Sequence, residues 1–146
     1  MTRLAAVSLV AVVALALVAP SLSAAAPPSA WARAADALCA KADADSRKLP
    51  VPRTAKQRIA TIEKSIVIGN RLADALARLP RPAADAAEIA KLVAIYRQAV
   101  ALLRNVVTAL RANDTARVDK ELARASVIGR SFSLSAEKLS ALGCAQ

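Results

Sequence analysis

The chain carries two thiols, Cys39 and Cys144, and no histidine. Thiol chemistry needs a thiolate, and the usual base that generates one is missing. An even number of cysteines in an exported chain reads first as a disulfide. Two free thiols, or a bond to a second molecule, are the competing readings. Paired within the chain, Cys39 and Cys144 would close almost everything after the N-terminal segment into one ring. That use is structural and takes both sulfurs out of nucleophilic catalysis.

The second recurring chemistry is cationic. Lys64, Arg71 and Arg78 stand at intervals of seven, as do Arg97, Arg104 and Arg111. Arg117, Arg124 and Lys138 repeat the interval, with Ser131 in the open place. Spacing of seven puts each set on one helix face. Arg71, Arg78, Arg97, Arg104, Arg111, Arg117 and Arg124 are therefore the candidate contacts for an anionic envelope polymer or membrane surface. A solvated face is the plainer reading, and acids in helical register (Asp74 with Arg78, Asp43 with Arg47) dilute the positive sign. Nucleic acid is not an expected partner, since export would remove the chain from it and no aromatics interleave the cations for base stacking.

Other catalytic chemistry finds little support. No phosphate-cradling glycine loop and no nucleophile elbow occurs. Asp36, Asp43 and Asp45 come closest to a carboxylate cluster, but Lys41, Arg47 and Lys48 interleave them. Tyr96 falls on an apolar stripe and reads as a core residue with its hydroxyl at the bundle edge, rather than as an axial haem ligand. The expectation is a non-enzymatic protein with no catalytic residue, metal or cofactor.

The compartment follows from the first residues. Met1-Thr2-Arg3 supplies a positive start, Leu4 to Ala19 an apolar run broken only by Ser8, and Pro20 a stop. Ser23-Ala24-Ala25 fits the small-x-small rule for signal cleavage. The run is shorter than the roughly 20 apolar residues a spanning helix wants. Residues 1–25 thus read as a secretory signal and 26–146 as a single helical-bundle domain, extracytoplasmic in location. An uncleaved anchor is the other possibility. Losing the signal takes Arg3 alone from the 21 basic residues, leaving 20 against 11 acidic ones. That length suffices for one domain with one core.

Abundant alanine, leucine and arginine, with only Trp31, Tyr96 and Phe132 as aromatics, make helix the default state. Ser29 is placed to cap a short helix through Trp31, Ala35, Leu38 and Ala42 to about Lys48. Leu49-Pro50-Val51-Pro52 follows as a stiff linker. Thr54 caps a helix to about Leu79 whose stripe is Ile59, Ile62, Ile66, Gly69, Ala73 and Leu76. Pro80-Arg81-Pro82 breaks the chain before a third helix from about Ala83, with Ile89, Leu92, Tyr96, Ala99, Leu103, Val106 and Leu110 inward. Asp114 caps a fourth, with Val118, Leu122, Ala125, Gly129, Phe132, Ala136 and Leu139 inward and Gly143 at its C-terminal end. The expected fold is all-α, an antiparallel four-helix up-and-down bundle with a short, displaced first helix and one disulfide. Gly69 and Gly129, each after Val-Ile, read as places where two backbones approach closely.

The displacement is forced by the cysteines. In an ideal bundle Cys39 lies roughly 14 Å, and Cys144 roughly 45 Å, from the same pole at 1.5 Å per residue. Bonded cysteines need their Cα atoms within about 7 Å. The proline linker is expected to slide the first helix toward the opposite pole. The fourth is expected to break near Ser131, Ser133 and Ser135, where serine weakens helix propensity.

Leu38-Cys39-Ala40-Lys41-Ala42-Asp43, Leu49-Pro50-Val51-Pro52-Arg53 and Leu142-Gly143-Cys144-Ala145 resemble segments of Ala/Arg-rich secreted helical proteins of high-GC Gram-positive bacteria. The resemblance implies export and a disulfide and carries no activity with it. Architecturally the chain is also similar to mycobacterial-type secreted haem-binding helical proteins, without a shared motif. The leading expectation is an exported helical module that binds a partner protein or an anionic cell-envelope surface. The alternative is a carrier of an apolar or haem-like ligand beside Gly69, Gly129 and Tyr96.

Overall fold

A computed structural model of the chain describes residues 28–145. The expected signal segment, 1–25, lies outside them. Four helices form: α1 (Ala30–Arg47), α2 (Ala55–Arg78), α3 (Ala86–Arg111) and α4 (Thr115–Lys138). No strand occurs among the described residues.

Local chemistry sets the helix starts. The Ser29 hydroxyl accepts from the Ala32 amide at 3.0 Å. Thr54 and Gln57 form a reciprocal capping box, in which each satisfies an orphan amide of the first turn. Asp114 accepts from the Arg117 amide at 2.9 Å. The third helix begins at Ala86, three residues later than expected, with Asp85 as its cap residue. Pro82 delays it, because the Pro82 carbonyl accepts from Asp85 in a separate turn.

Two helix ends share one device. Asn113 follows α3 with φ 54° and Ser140 follows α4 with φ 55°. At each, the next amide reaches five residues back, Asp114 to Ala109 at 3.0 Å and Ala141 to Ala136 at 2.9 Å. This is the Schellman arrangement, in which a left-handed residue satisfies orphan carbonyls. The left-handed residue that terminates helix four is therefore Ser140, not Gly143, and the helix runs unbroken through Ser131, Ser133 and Ser135 to Lys138. The serines hold because each meets a partner or solvent. Ser131 bonds back to the Val127 carbonyl, and Ser135 donates to Glu88 on α3.

Consecutive helices pack in antiparallel order, α1 on α2, α2 on α3 and α3 on α4. The first helix is displaced as the cysteines require. Thr61, two turns into α2, donates to the Pro50 carbonyl, so the proline linker folds back along α2 and carries α1 toward the other pole. There Trp31, Ala32, Ala35 and Cys39 meet Leu72 and Leu76 of α2, Ile89, Leu92 and Val93 of α3, and Ala136, Leu139, Ala141 and Cys144 near the C-terminus. Leu76, Ile89 and Leu92 are fully buried, each worth about 1.5–3 kcal/mol of transfer free energy. The last step from α4 to α1 is made by the segment after Ser140, which brings Cys144 to Cys39 with a Cα–Cα distance of 5.3 Å.

The central helix, α3, buries more than one stripe. Val93, Val100, Leu102, Val107 and Ala109 are buried beside the expected Ile89, Leu92 and Val106, because α3 faces both α2 and α4. On α4 the expected stripe is only half covered. Ala136 and Leu139 are buried, whereas Leu122 is 49% exposed. Gly129 is exposed as well. Among the described residues no fourth helix covers the inward face toward the start of α4, since α1 lies at the other pole.

Candidate functional site

The disulfide is the first candidate to be placed. Both cysteines are buried. Cys144 Sγ sits 3.4 Å from the Ala35 carbonyl oxygen. The neighbouring Gly143 amide donates to Asp36 Oδ1 at 2.8 Å. Asp36 is thus occupied in holding the tail. Asp43 pairs with Arg47 at 2.7 Å and Asp45 with Lys48 at 3.0 Å. The three carboxylates of α1 serve three different partners. No group of three or more potential metal ligands exists among the described residues.

The arginine rows divide. On α3, Arg97 reaches Asp74 at 3.2 Å and Arg111 reaches Glu63 at 2.6 Å. Arg104 between them donates to Asn70 Oδ1 at 3.2 Å. The heptad row is therefore a ladder of charge-assisted bonds across the α2–α3 seam. These side chains are largely exposed, where one pair contributes about 0–1 kcal/mol. Arg124 turns to Glu121 on its own helix at 3.2 Å.

Arg71, Arg78 and Arg117 have no acidic partner among the described residues. Arg71 lies with Lys41 on the rim of a groove of about 250 Å³ between α1 and α2, whose floor includes Leu38, Ile68 and Leu72. Arg78 closes α2 at one pole. Arg117 opens α4 at the other, roughly 35 Å away by the rise of a 24-residue helix. The seven arginines do not converge on one surface.

A second groove, of about 310 Å³, runs between α3 and α4 past Lys91, Ile95, Ile128, Leu134 and Lys138. Beside it Glu88 accepts from the Ser135 hydroxyl at 2.6 Å. That hydrogen bond, with the nearby Lys91 and Lys138, holds the Glu88 carboxyl below its ordinary value against a partial desolvation. Sequence spacing marks Glu88 as a first-turn acid but does not reveal its partner 47 residues away.

Neither groove is lined by Gly69, Gly129 or Tyr96. A Cβ at Gly69 would meet Val100 Cγ2 at 2.7 Å and the Tyr96 hydroxyl at 3.7 Å, while one at Gly129 would have nothing within 4 Å. Gly69 is thus a close approach of α2 and α3, as expected. Gly129 is not, because α4 has no neighbouring backbone there. The Tyr96 ring lies 5.1 Å from Phe132, and burial pushes its phenol up from the ordinary range.

No protein-family model, curated protein or solved structure matches the chain. No described helix is long and apolar enough to cross a membrane. The buried disulfide is of the kind that persists in oxidising compartments.

Proposed function

We propose that the chain is an exported, non-enzymatic helical module that binds an anionic cell-envelope surface. The observation that carries this reading is the imbalance left once the ion pairs form. Asp43, Asp45, Glu63, Asp74, Glu88 and Glu121 are engaged by basic side chains. Asp36 and Asp114 are engaged by backbone amides. Lys64, Arg71 and Arg78, seven apart along one face of α2, have no acidic partner among the described residues. A row of free cations on a rigid helix attracts phosphate-bearing polymers or headgroups over about one Debye length, near 10 Å at 0.1 M salt.

The test is sedimentation of the disulfide-bonded protein with phosphatidylcholine vesicles, with vesicles also containing phosphatidylglycerol, and with insoluble phosphate-bearing wall polymer. Binding to an anionic target that falls steeply with salt is expected, and the two anionic targets separate the sources. At about 1 kcal/mol per cation near a charged surface, replacing Lys64, Arg71 and Arg78 together by Gln weakens binding roughly 100-fold. Arg104→Gln, which removes a cation already bonded to Asn70, changes it far less. Salt-independent binding, or a triple variant that binds like the parent, overturns the reading.

A further inference from the structure

The groove between α1 and α2 is built from one spacing used twice. Leu38, Lys41, Ala42 and Asp45 line it from α1, at intervals of three, one and three residues. Ile68, Arg71, Leu72 and Ala75 line it from α2 at the same intervals. That spacing holds each set on one helix face. Thr61, early in α2, bonds to the Pro50 carbonyl just past the end of α1, which keeps the two helices in antiparallel register. Along a shared groove the antiparallel sets bring Leu38 beside Ala75 and Asp45 beside Ile68. Lys41 and Arg71 then face each other at mid-groove, offset by about one residue, or 1.5 Å of rise.

Neither cation is engaged by an acid of the chain. Lys41 and Arg71 are exposed and have no acidic partner among the described residues. Asp45, the one acid of the lining, lies a turn from Lys41 but bonds to Lys48 at 3.0 Å. Asp74, a turn from Arg71, bonds to Arg97 at 3.2 Å. Between the two cations lies an apolar floor of Leu38, Ile68 and Leu72, of which Leu38 and Ile68 are only half-buried. Ala42 and Ala75 reach no further than Cβ and leave the space open. The groove measures about 250 Å³, room for about eight groups of water size at roughly 30 Å³ each.

We propose that this groove binds a single-chain fatty carboxylate of about eight carbons, with its carboxylate between Lys41 and Arg71 and its chain on Leu38, Ile68 and Leu72. One carboxylate serves both cations, and the guanidinium fork of Arg71 matches its two oxygens. An uncharged chain would leave that pair of like charges uncompensated. A phosphate dianion would bring a second negative charge up to Asp45. The site shares Arg71 with the Lys64–Arg71–Arg78 row, draws its other residues from elsewhere, and does not depend on the envelope-binding reading.

The test titrates the isotope-labelled, disulfide-bonded protein with octanoate, octanol or acetate and follows the backbone amides by NMR. Octanoate is expected to shift the amides of residues 38–45 and 68–75 in one saturable process. Octanol lacks the charge and acetate lacks the chain, so each should bind at least about ten-fold more weakly. Lys41→Gln and Arg71→Gln should each weaken octanoate by about ten-fold and leave octanol as it is in the parent. Ala75→Phe, which fills the groove, should abolish binding. The double variant Lys64→Gln, Arg78→Gln should bind octanoate as the parent does, which separates this site from the envelope row. Shifts centred elsewhere, octanol or acetate binding as tightly as octanoate, or Lys41→Gln binding like the parent overturns the proposal. Octyl phosphate binding more tightly than octanoate would assign the groove to a phosphate head group and overturn it too.

Discussion

The Gly143 amide donates to the Asp36 carboxylate at 2.8 Å across 107 residues of sequence. A Cβ at Gly143 would stand 3.1 Å from the Asp36 Cβ, so a larger residue there would push the tail and α1 apart by a few tenths of an ångström. One residue on, Cys144 closes its bond to Cys39. Hydrogen bond and disulfide together pin α1, whose own packing rests on a short run of residues around Trp31.

A ring with a sequence separation of 105 is worth roughly 4–5 kcal/mol in the chain-entropy account. Cys39→Ser with Cys144→Ser is expected to lose about that much in urea unfolding. Trp31, the single tryptophan, is 3% exposed and reports on the same event. Its emission should shift to the red on reduction while far-ultraviolet dichroism keeps most of its helix signal, because α2, α3 and α4 pack without α1. Unchanged emission after reduction would show that α1 docks without the bond.

Gly69 and Gly129 look alike in sequence and are expected to respond oppositely. At Gly69 an added methyl meets Val100 at 2.7 Å, and overpacking of this kind costs about 1–3 kcal/mol. At Gly129 the space is open, so Ala gains its helix propensity, about 0.5–1 kcal/mol. Thermal unfolding of Gly69→Ala and Gly129→Ala should move the midpoint down and up respectively. Matching signs would refute the assignment.

How far the sequence reaches is visible in the same residues. Pro52, Pro80 and Pro82, with Ser29, Thr54 and Asp114, mark helix boundaries because φ restriction and capping are local. The disulfide and the displaced first helix are legible as well, since bond geometry and helix rise leave few alternatives. The inward register of α4 is legible, but its exposure at Leu122 and Gly129 is not, because that depends on where α1 comes to rest. The end of α4 is misread for a related reason. Gly143 has the composition of a helix terminator, yet Ser140 takes the left-handed position and the glycine packs closely against Asp36 instead. The α3 arginines read as a solvent face, and their partners Asp74, Asn70 and Glu63 emerge only once two helices are set side by side. The first helix buries Ala32 and Cys39 beside the expected Trp31 and Ala35, while Leu38 and Ala42 pack partly buried against the same core.

Glu121 is 5% exposed, and its Oε2 has no hydrogen-bond partner. Its other oxygen meets Arg124, whose side chain is largely exposed. A half-satisfied buried acid costs about 1–3 kcal/mol, and well-packed apolar replacements of buried ionic groups are often neutral or stabilising. Glu121→Met is therefore expected to raise stability by about 1 kcal/mol in chemical denaturation, and Glu121→Ala to fall below it by leaving a cavity. A clear loss in Glu121→Met would mean that the Arg124 contact outweighs the unsatisfied oxygen.

The pH dependence should show two edges of opposite sign. Burial raises the phenol of Tyr96 above its ordinary value near 10. Its contribution to stability is complete below the unfolded value and is lost as pH rises through the folded one, on the alkaline side. Glu88 is depressed, chiefly by the Ser135 hydroxyl. Its contribution is present above the unfolded carboxylate value and is lost as pH falls through the folded one, on the acid side. Tyr96 is the single tyrosine, so phenolate absorbance follows it alone. Its midpoint should lie above that of a blocked tyrosine and move back toward it in Phe132→Ala, which opens the ring to water. Thermal midpoints of the parent should drop more steeply between about pH 5 and 3 than those of Ser135→Ala, in which Glu88 has lost its donor. Parallel acid limbs in the two proteins would remove the Ser135 bond as the cause.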